Sequence, residues 1–282
     1  MRTTLVPAKV LDQVKRNRAL YQAARDIRMA AGRMLPPRCV PGIEGRVHYN
    51  DFMLMSTSAD GVSGYRDGAL DVIDNIQHVL DECGRTVDDV DSWLDFGCGY
   101  GRVIRFLLRK VPAHRVSGVD VIGDAVGFCA REFGVWASLV GSDFDTIELG
   151  EFDFVFAISV MTHIPPDAAV AFLRLIQRTT KPGGIAMFTT QGEACLQDIA
   201  GQFSPRYADR AATIRESYAR DGMAYVPYGY YKDDRYGLGW YSRDFVDDHL
   251  NRISHGDMRR VCYRPDGLHP GHQDVHAFRR VG

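Results

Sequence analysis

One stretch, Trp93-Leu94-Asp95-Phe96-Gly97-Cys98-Gly99-Tyr100-Gly101-Arg102-Val103, limits what this chain can fold into. Its apolar start reads as a short buried strand, and Val103, Ile104, Phe106, Leu107 and Leu108 follow at helical spacing. Between them three alternating glycines let the backbone turn sharply and let a ligand approach with no Cβ in the way. Strand, glycine turn and helix N-terminus together make a cradle for a nucleotide or cofactor.

The order within the turn narrows the ligand. A dinucleotide fingerprint places its third glycine at position 102, which is arginine here; the third glycine falls at 101. A phosphate-cradling Walker loop needs Gly-Lys-Ser/Thr, which this stretch does not supply. Asp95, just ahead of the first glycine, would repel a pyrophosphate but could hold an ammonium group. A cofactor that is cationic at one end and a nucleoside at the other satisfies both conditions, and S-adenosylmethionine is such a molecule. The stretch resembles motif I of the class I methyltransferases. That resemblance implies S-adenosylmethionine as cofactor and a doubly wound α/β fold, with a seven-stranded, mostly parallel sheet and a C-terminal antiparallel strand.

With 282 residues, 45% hydrophobic and 25% charged, the chain suits one large globular domain with an extension. No apolar run approaches the roughly 18 to 20 residues needed to span a bilayer. The N-terminus lacks the apolar core of about 7 to 15 residues that marks a signal peptide, so a cytoplasmic location is expected. Six cysteines, at 39, 83, 98, 129, 195 and 262, form no Cys-x-x-Cys pair, which argues against a zinc site or a disulfide framework. The net charge of −2 is unevenly spread: residues 1–46 hold ten Lys/Arg against three Asp/Glu, a balance of +7, leaving −9 elsewhere. Such an arm suits an anionic partner, a membrane surface, or a solvated helix against an acidic body. Basic residues interleaved with aromatics are not evident around the motif, so no nucleic-acid partner is expected.

Residues 8–31 read as a helix, ended by Gly32 and the prolines at 36, 37 and 41. Turns are expected between His48 and Arg66, marked by Ser56, Thr57, Ser58, Gly61 and Gly64; Leu70, Ile73, Ile76 and Leu80 then give a helix into Cys83-Gly84. Residues 1–88 are thus expected to be a helical N-terminal extension, and 89–282 the main domain. From Asp91 strands (92–96, 115–121, 137–140, 152–160, 185–190) alternate with helices (101–110, 124–133 with Asp124 as N-cap, 165–179). This order is similar to that of the class I methyltransferases, including the Lys181-Pro182-Gly183-Gly184 turn. An insertion at about 193–242 holds a helix near 206–220 and an aromatic tract, Tyr225, Tyr228, Tyr230, Tyr231, Tyr236, Trp240 and Tyr241, suited to a lid over substrate. Arg243–Leu250 reads as a helix, and 258–263 with 274–280 as an antiparallel pair resembling the family's C-terminal hairpin.

Within this frame the cofactor-binding residues are Asp95 for the methionine ammonium, Phe96, Gly97, Cys98, Gly99 and Gly101 for the turn, and Asp120 for the ribose hydroxyls. Asp120 ends the second strand, 23 residues beyond Gly97, where an acid can accept from both hydroxyls. The resemblance places Val121 along an adenine face, Asp143 at the adenine amino group, and Ser142 or Phe144 beside the ring. Ser159 and His163 lie just past the fourth strand, at the carboxyl edge where such sites open. His163 is the candidate general base, since an imidazole titrates near neutrality; packing beside the cofactor is its other reading. The Asn/Asp-Pro-Pro-aromatic motif of amino-methylating relatives is absent, and no acid follows the fourth strand until Asp167, where metal-dependent relatives carry one earlier. Elimination therefore favours metal-independent O-methylation of a small-molecule or saccharide hydroxyl. Alternatives are an N- or C-methyltransferase, or a non-catalytic protein of the same fold that binds cofactor or a partner; the intact Asp95, Asp120 and three glycines weigh against the last. The His269, His272, Asp274 and His276 run is read as packing and hydrogen bonding within a paired strand rather than as a metal site.

Overall fold

The computed structural model describes residues 14, 17–56, 61–197, 199, 205–231, 235–269 and 272–281. Helix α1 (Arg18–Met34) is followed by a hairpin of β1 (Arg38–Val40) and β2 (Ile43–Val47), a short α2 (Phe52–Ser56) and a long α3 (Gly61–Glu82). The alternating part comprises β3 (Trp93–Phe96), α4 (Ile104–Leu107), β4 (Val116–Asp120), α5 (Gly123–Phe133), β5 (Trp136–Leu139), β6 (Phe152–Ala157), α6 (Pro166–Thr179) and β7 (Thr180–Thr190). The insertion supplies α7 (Glu193–Gln197), α8 (Ala211–Asp221), β8 (Met223–Pro227) and β9 (Gly237–Tyr241), before α9 (Arg243–Ser254), β10 (Met258–Leu268) and β11 (Gln273–Arg280).

Seven strands form one sheet in the order β10-β11-β7-β6-β3-β4-β5. All pairings from β7 to β5 are parallel, and β11 runs antiparallel between β7 and β10, as the sequence led one to expect. The strand period of two sends alternate side chains to opposite faces. Trp93, Phe154 and Phe156 pack against Val72, Ile76 and Leu80 of α3 and Ile104 of α4, whereas Leu94, Val155 and Phe188 meet Phe172 and Ile176 of α6 and Leu250 of α9. Burying a side chain such as Phe172 contributes about 1.5–3 kcal/mol. With both faces covered, the exposed carboxyl edge of the parallel strands is where a ligand can enter.

The N-terminal part is built differently from the sequence expectation. Among the described residues α1 begins at Arg18; positions 8–13, 15 and 16 of the expected helix lie outside them. Residues 38–47 form a hairpin, so the segment is not wholly helical. Gly61 and Gly64 sit inside α3 rather than in turns, because the buried Val72–Leu80 face carries the helix through them. That face is one wall of the core, so the expected boundary at residue 88 cuts through packed structure. Asp124 is not the N-cap of α5, a place taken by Ile122; its carboxylate lies in the first turn and pairs with Arg33. The insertion has its own small core, in which Leu196, Ile214, Val226 and Leu238 come together.

Candidate active site

The glycine turn leaves β3 at the carboxyl edge with Gly97, Gly99 and Gly101 all at positive φ, +83°, +51° and +73°. The three are not equivalent. A Cβ on Gly97 would come 2.7 Å from Val160, and one on Gly101 would run into the Phe133 ring, whereas one on Gly99 meets nothing within 4 Å. Packing of the turn therefore needs Gly97 and Gly101, and Gly99 opens onto ligand space. Gly99→Ala is expected to cost only the left-handed backbone penalty of about 1–2 kcal/mol in stability. Its methyl group projects into the cradle, so ligand affinity should fall further than stability, a difference that thermal melts with and without ligand will resolve.

Charged groups converge on that space. Asp95 is only 3% exposed, and its buried Oδ2 has no hydrogen-bond partner. Burial, reinforced by nearby Asp120 and opposed by Arg102, pushes its carboxyl up to about 8. Arg102 is also buried, at 9% exposure, and makes no hydrogen bond or ion pair with any described residue. It packs closely on α3: a Cβ at Gly68 would lie 2.9 Å from its Nη1 and equally near His269. Burial lowers the affinity of this guanidinium for its proton, against the fields of Tyr65, Asp51 and Asp95. A buried acid whose Oδ2 has no partner, and a buried guanidinium within its electrostatic reach and without a partner among the described residues, match a zwitterion, a ligand carrying ammonium and carboxylate on neighbouring atoms.

Asp120 ends β4 and fixes the turn: Oδ2 accepts from the Gly99 amide at 2.8 Å and Oδ1 from the Ile122 amide at 2.9 Å. Each oxygen keeps a second lone pair for a ligand hydroxyl. Val121 follows it with 60% of its surface exposed, an apolar side chain left uncovered at the cleft. Cys98 is buried behind the turn against Gly118, and Phe96 is buried between Phe144 and Phe172. Ser142 and Asp143 are exposed, with Asp143 Oδ1 accepting from the Asp145 amide. Phe144 is buried. It lies in the core 5.6 Å from the Phe172 ring, in the short helical turn after Asp143.

Past β6, Ser159 holds φ +60°, an unusual conformation for a non-glycine residue. It is fixed by its amide donating to Thr189 Oγ1 at 2.9 Å and by Gln273 Nε2 donating to its Oγ at 2.8 Å. The next turn carries His163, half-buried, with Nδ1 donating to the Gly237 carbonyl at 3.0 Å. A carbonyl only accepts, so Nδ1 carries the proton and Nε2 keeps its lone pair. Nε2 makes no hydrogen bond among the described residues. Burial lowers the imidazole's proton affinity from its ordinary value, partly offset by the Gly237 contact. Tyr228 Oη lies 3.0 Å from the same Nδ1, and the Tyr236 ring is 5.2 Å away. Tyr228, Tyr230, Tyr231 and Tyr236, between β8 and β9, stack on one another and on Tyr21 of α1, and Gln22 Nε2 donates to the Tyr230 carbonyl at 2.9 Å. Tyr236 is buried, which raises its phenol above the ordinary range, and Asp120 acts on it in the same direction.

The C-terminal histidines are engaged elsewhere. His276 stacks on Phe188 at 5.5 Å with Nε2 2.9 Å from Thr190 Oγ1, and the His269 amide donates to Asp71 at 2.8 Å. Among the described residues no three His, Cys, Asp or Glu lie together as a metal-binding group.

Residues 94–184 match the family model described as a methyltransferase domain. The sheet order and its reversed β11 are those of the class I fold, and solved methyltransferases superpose on them. An S-adenosylmethionine-dependent methyltransferase from Clostridium acetobutylicum has a TM-score of 0.51 at 13% identity, over 83% of this chain and 96% of that one. Residues 94–184 thus match a methyltransferase domain, on a sheet with the class I fold. The methyltransferase domain of bacterial CtHen1-C gives a TM-score of 0.50 at 12% identity, over 76% of this chain and all (100%) of that one. In sequence, the ubiquinone biosynthesis O-methyltransferase of Methylococcus capsulatus is 31% identical over 148 residues. That match takes in 46% of this chain and 61% of the relative. Sequence reasoning missed Arg102 and Gln273 as residues of this domain's cleft. Arg102 follows the third glycine directly, a usable signal, but its isolation depends on Gly68 more than thirty positions earlier; nothing in the sequence pairs Gln273 with Ser159.

Proposed function

We propose that the chain is an S-adenosylmethionine-dependent methyltransferase that methylates a hydroxyl of a small molecule or saccharide without a metal. The observation that carries this reading is the buried Asp95 Oδ2 without a partner, with Arg102 unpaired among the described residues and Gly99 open to ligand space. Those residues fit the cofactor's methionine end: Asp95 would hold its ammonium, Arg102 its carboxylate, and the Gly97–Gly101 backbone would pass beneath it. Asp120 would accept from the ribose hydroxyls, Val121 would cover one adenine face, and Ser142 with Asp143 would border its edge. Ser159, locked by Thr189 and Gln273, would close the cleft near the transferable group. When bound, S-adenosylmethionine supplies a methyl already activated by its sulfonium.

The protein's remaining tasks are alignment and proton removal. His163 Nε2 takes the proton of the acceptor hydroxyl, while the Gly237 carbonyl keeps the proton of Nδ1 in place. The tyrosine roof presents flat apolar faces with hydroxyl rims, which suits a ring-shaped acceptor. Burial places the His163 pKa below its ordinary value near 6.5, so the imidazole is already the free base at pH 7. Turnover should therefore be flat from neutral pH upward and fall on the acid side of that value. A pH–rate profile of kcat checks the limb. The test of the reading itself is methyl transfer to a panel of hydroxylated and amine acceptors, with mass spectrometry of the products. O-methyl products support it; turnover confined to amines or carbon atoms contradicts it.

A further inference from the structure

The tip of the β10–β11 hairpin is fastened to α3 by two polar residues of that helix. Asn75 Nδ2 donates to the Gly267 carbonyl at 3.0 Å, and its Oδ1 accepts from Arg264 Nη1 at 2.8 Å. One turn nearer Gly68, Asp71 Oδ2 accepts from the His269 amide at 2.8 Å, and His269 Nδ1 lies 3.5 Å from the same oxygen. His269 holds φ +51°, a left-handed backbone that a Cβ disfavours, and these contacts keep it there. Four residues on, Gln273 Nε2 donates to Ser159 Oγ, so the tip stands at the carboxyl edge of the sheet.

The consequence is seen at Gly68. A Cβ there would lie 2.9 Å from Arg102 Nη1 and 2.9 Å from His269 Cε1, so guanidinium and imidazole meet across a missing side chain. Asp71, three residues on, lies on the same face of α3 and is an acid suited to pair with a buried guanidinium. His269 occupies it instead, with amide and ring together. Asp51, whose field also reaches Arg102, is occupied by the Tyr65 hydroxyl at 2.9 Å and the Met53 amide at 3.1 Å. We propose that His269 is a positioning residue of the cofactor site: by occupying Asp71 and standing against Nη1, it denies Arg102 an internal ion pair and presents the guanidinium to the ligand's carboxylate. This rests on the reading of Asp95 and Arg102 as holders of the methionine end. An arginine paired with Asp71 would have to break that pair before it could take the ligand. Without the imidazole, Asp71 loses its Nδ1 contact and the space beside Gly68 opens, so the guanidinium turns to the acid.

Calorimetric titration with S-adenosylmethionine and with its decarboxylated form, which keeps the ammonium and the nucleoside, tests this. The wild type should prefer the complete cofactor at least about tenfold, the worth of a hydrogen bond to a charged group. His269→Ala should lose most of that preference while its affinity for the decarboxylated form stays unchanged. Adding Asp71→Asn to it should restore the preference, because an amide does not hold a guanidinium as a carboxylate does. Gly68→Ala, whose Cβ displaces Nη1 and the ring in a helix that alanine favours, should lower the preference by a second route. The proposal is overturned by a His269→Ala or Gly68→Ala protein that keeps the wild-type preference. A His269→Ala protein that loses both ligands alike, or a double variant with no restoration, overturns it too, since a merely structural histidine would behave in that way. A wild type that binds the complete cofactor no better than the decarboxylated one refutes the reading of Arg102 itself, and the proposal with it.

Discussion

His163→Ala is expected to lower kcat by roughly 10²–10⁴-fold, the range that a positioned general base contributes, while cofactor affinity stays unchanged. The separation of the two follows from geometry. His163 contacts Gly237, Tyr228 and Tyr236 of the insertion, whereas the Asp95, Arg102 and Asp120 groups belong to β3, β4 and the turn that follows β3. If His163 only supports the lid, the alanine variant should raise KM with little change in kcat, and the acid limb of the pH profile should persist. If it is the base, kcat falls, the limb disappears, and added imidazole restores part of the rate. A His163→Ala enzyme with unchanged kcat rejects the base role. Tyr228→Phe is a milder companion: it keeps the Gly237 contact that fixes the Nδ1 proton, so the limb should survive in it.

Asp95→Asn is expected to weaken S-adenosylmethionine binding by about 1.5–3 kcal/mol, or about 10- to 150-fold, the usual worth of a hydrogen bond to a charged group. The same change should leave the empty protein as stable as before or more so, since it removes a buried carboxyl whose Oδ2 has no partner. Loss of affinity without loss of stability distinguishes a ligand-holding acid from a structural one. A proton signature accompanies it. With its carboxyl pushed to about 8 by burial, Asp95 is mostly protonated in the empty protein at pH 7. An ammonium partner favours the carboxylate, so binding must release that proton. Affinity should then rise with pH up to about 8 and level off above it. Binding enthalpies measured in buffers of different ionisation heat should reveal the released proton in the wild type and not in Asp95→Asn.

What could be read from the chain tracks how local each feature is. The glycine turn, Asp95 and Asp120 lie within one strand–turn–helix–strand unit, so spacing alone placed them on the same edge of the sheet. The seven strands were legible because those of a parallel sheet are apolar on both faces, as Trp93–Phe96 and Phe152–Ala157 are. The N-terminal boundary was not, because Gly61 and Gly64 are turn-formers by propensity and only the packing of α3 against the sheet overrides them. The aromatic tract stood out by composition, but not as a β8–β9 hairpin, since its tyrosines and glycines lack strict alternation.

The cofactor site is the centre of this account, and calorimetric titration of the wild type and Asp120→Ala with S-adenosylmethionine tests it most directly. Saturable single-site binding by the wild type is predicted, with a much weaker isotherm for Asp120→Ala, which loses both the carboxylate facing the ribose and the clamp on the Gly99 amide. A folded wild-type protein that takes up no S-adenosylmethionine, or an Asp120→Ala variant that binds it as well as the wild type, would contradict the assignment.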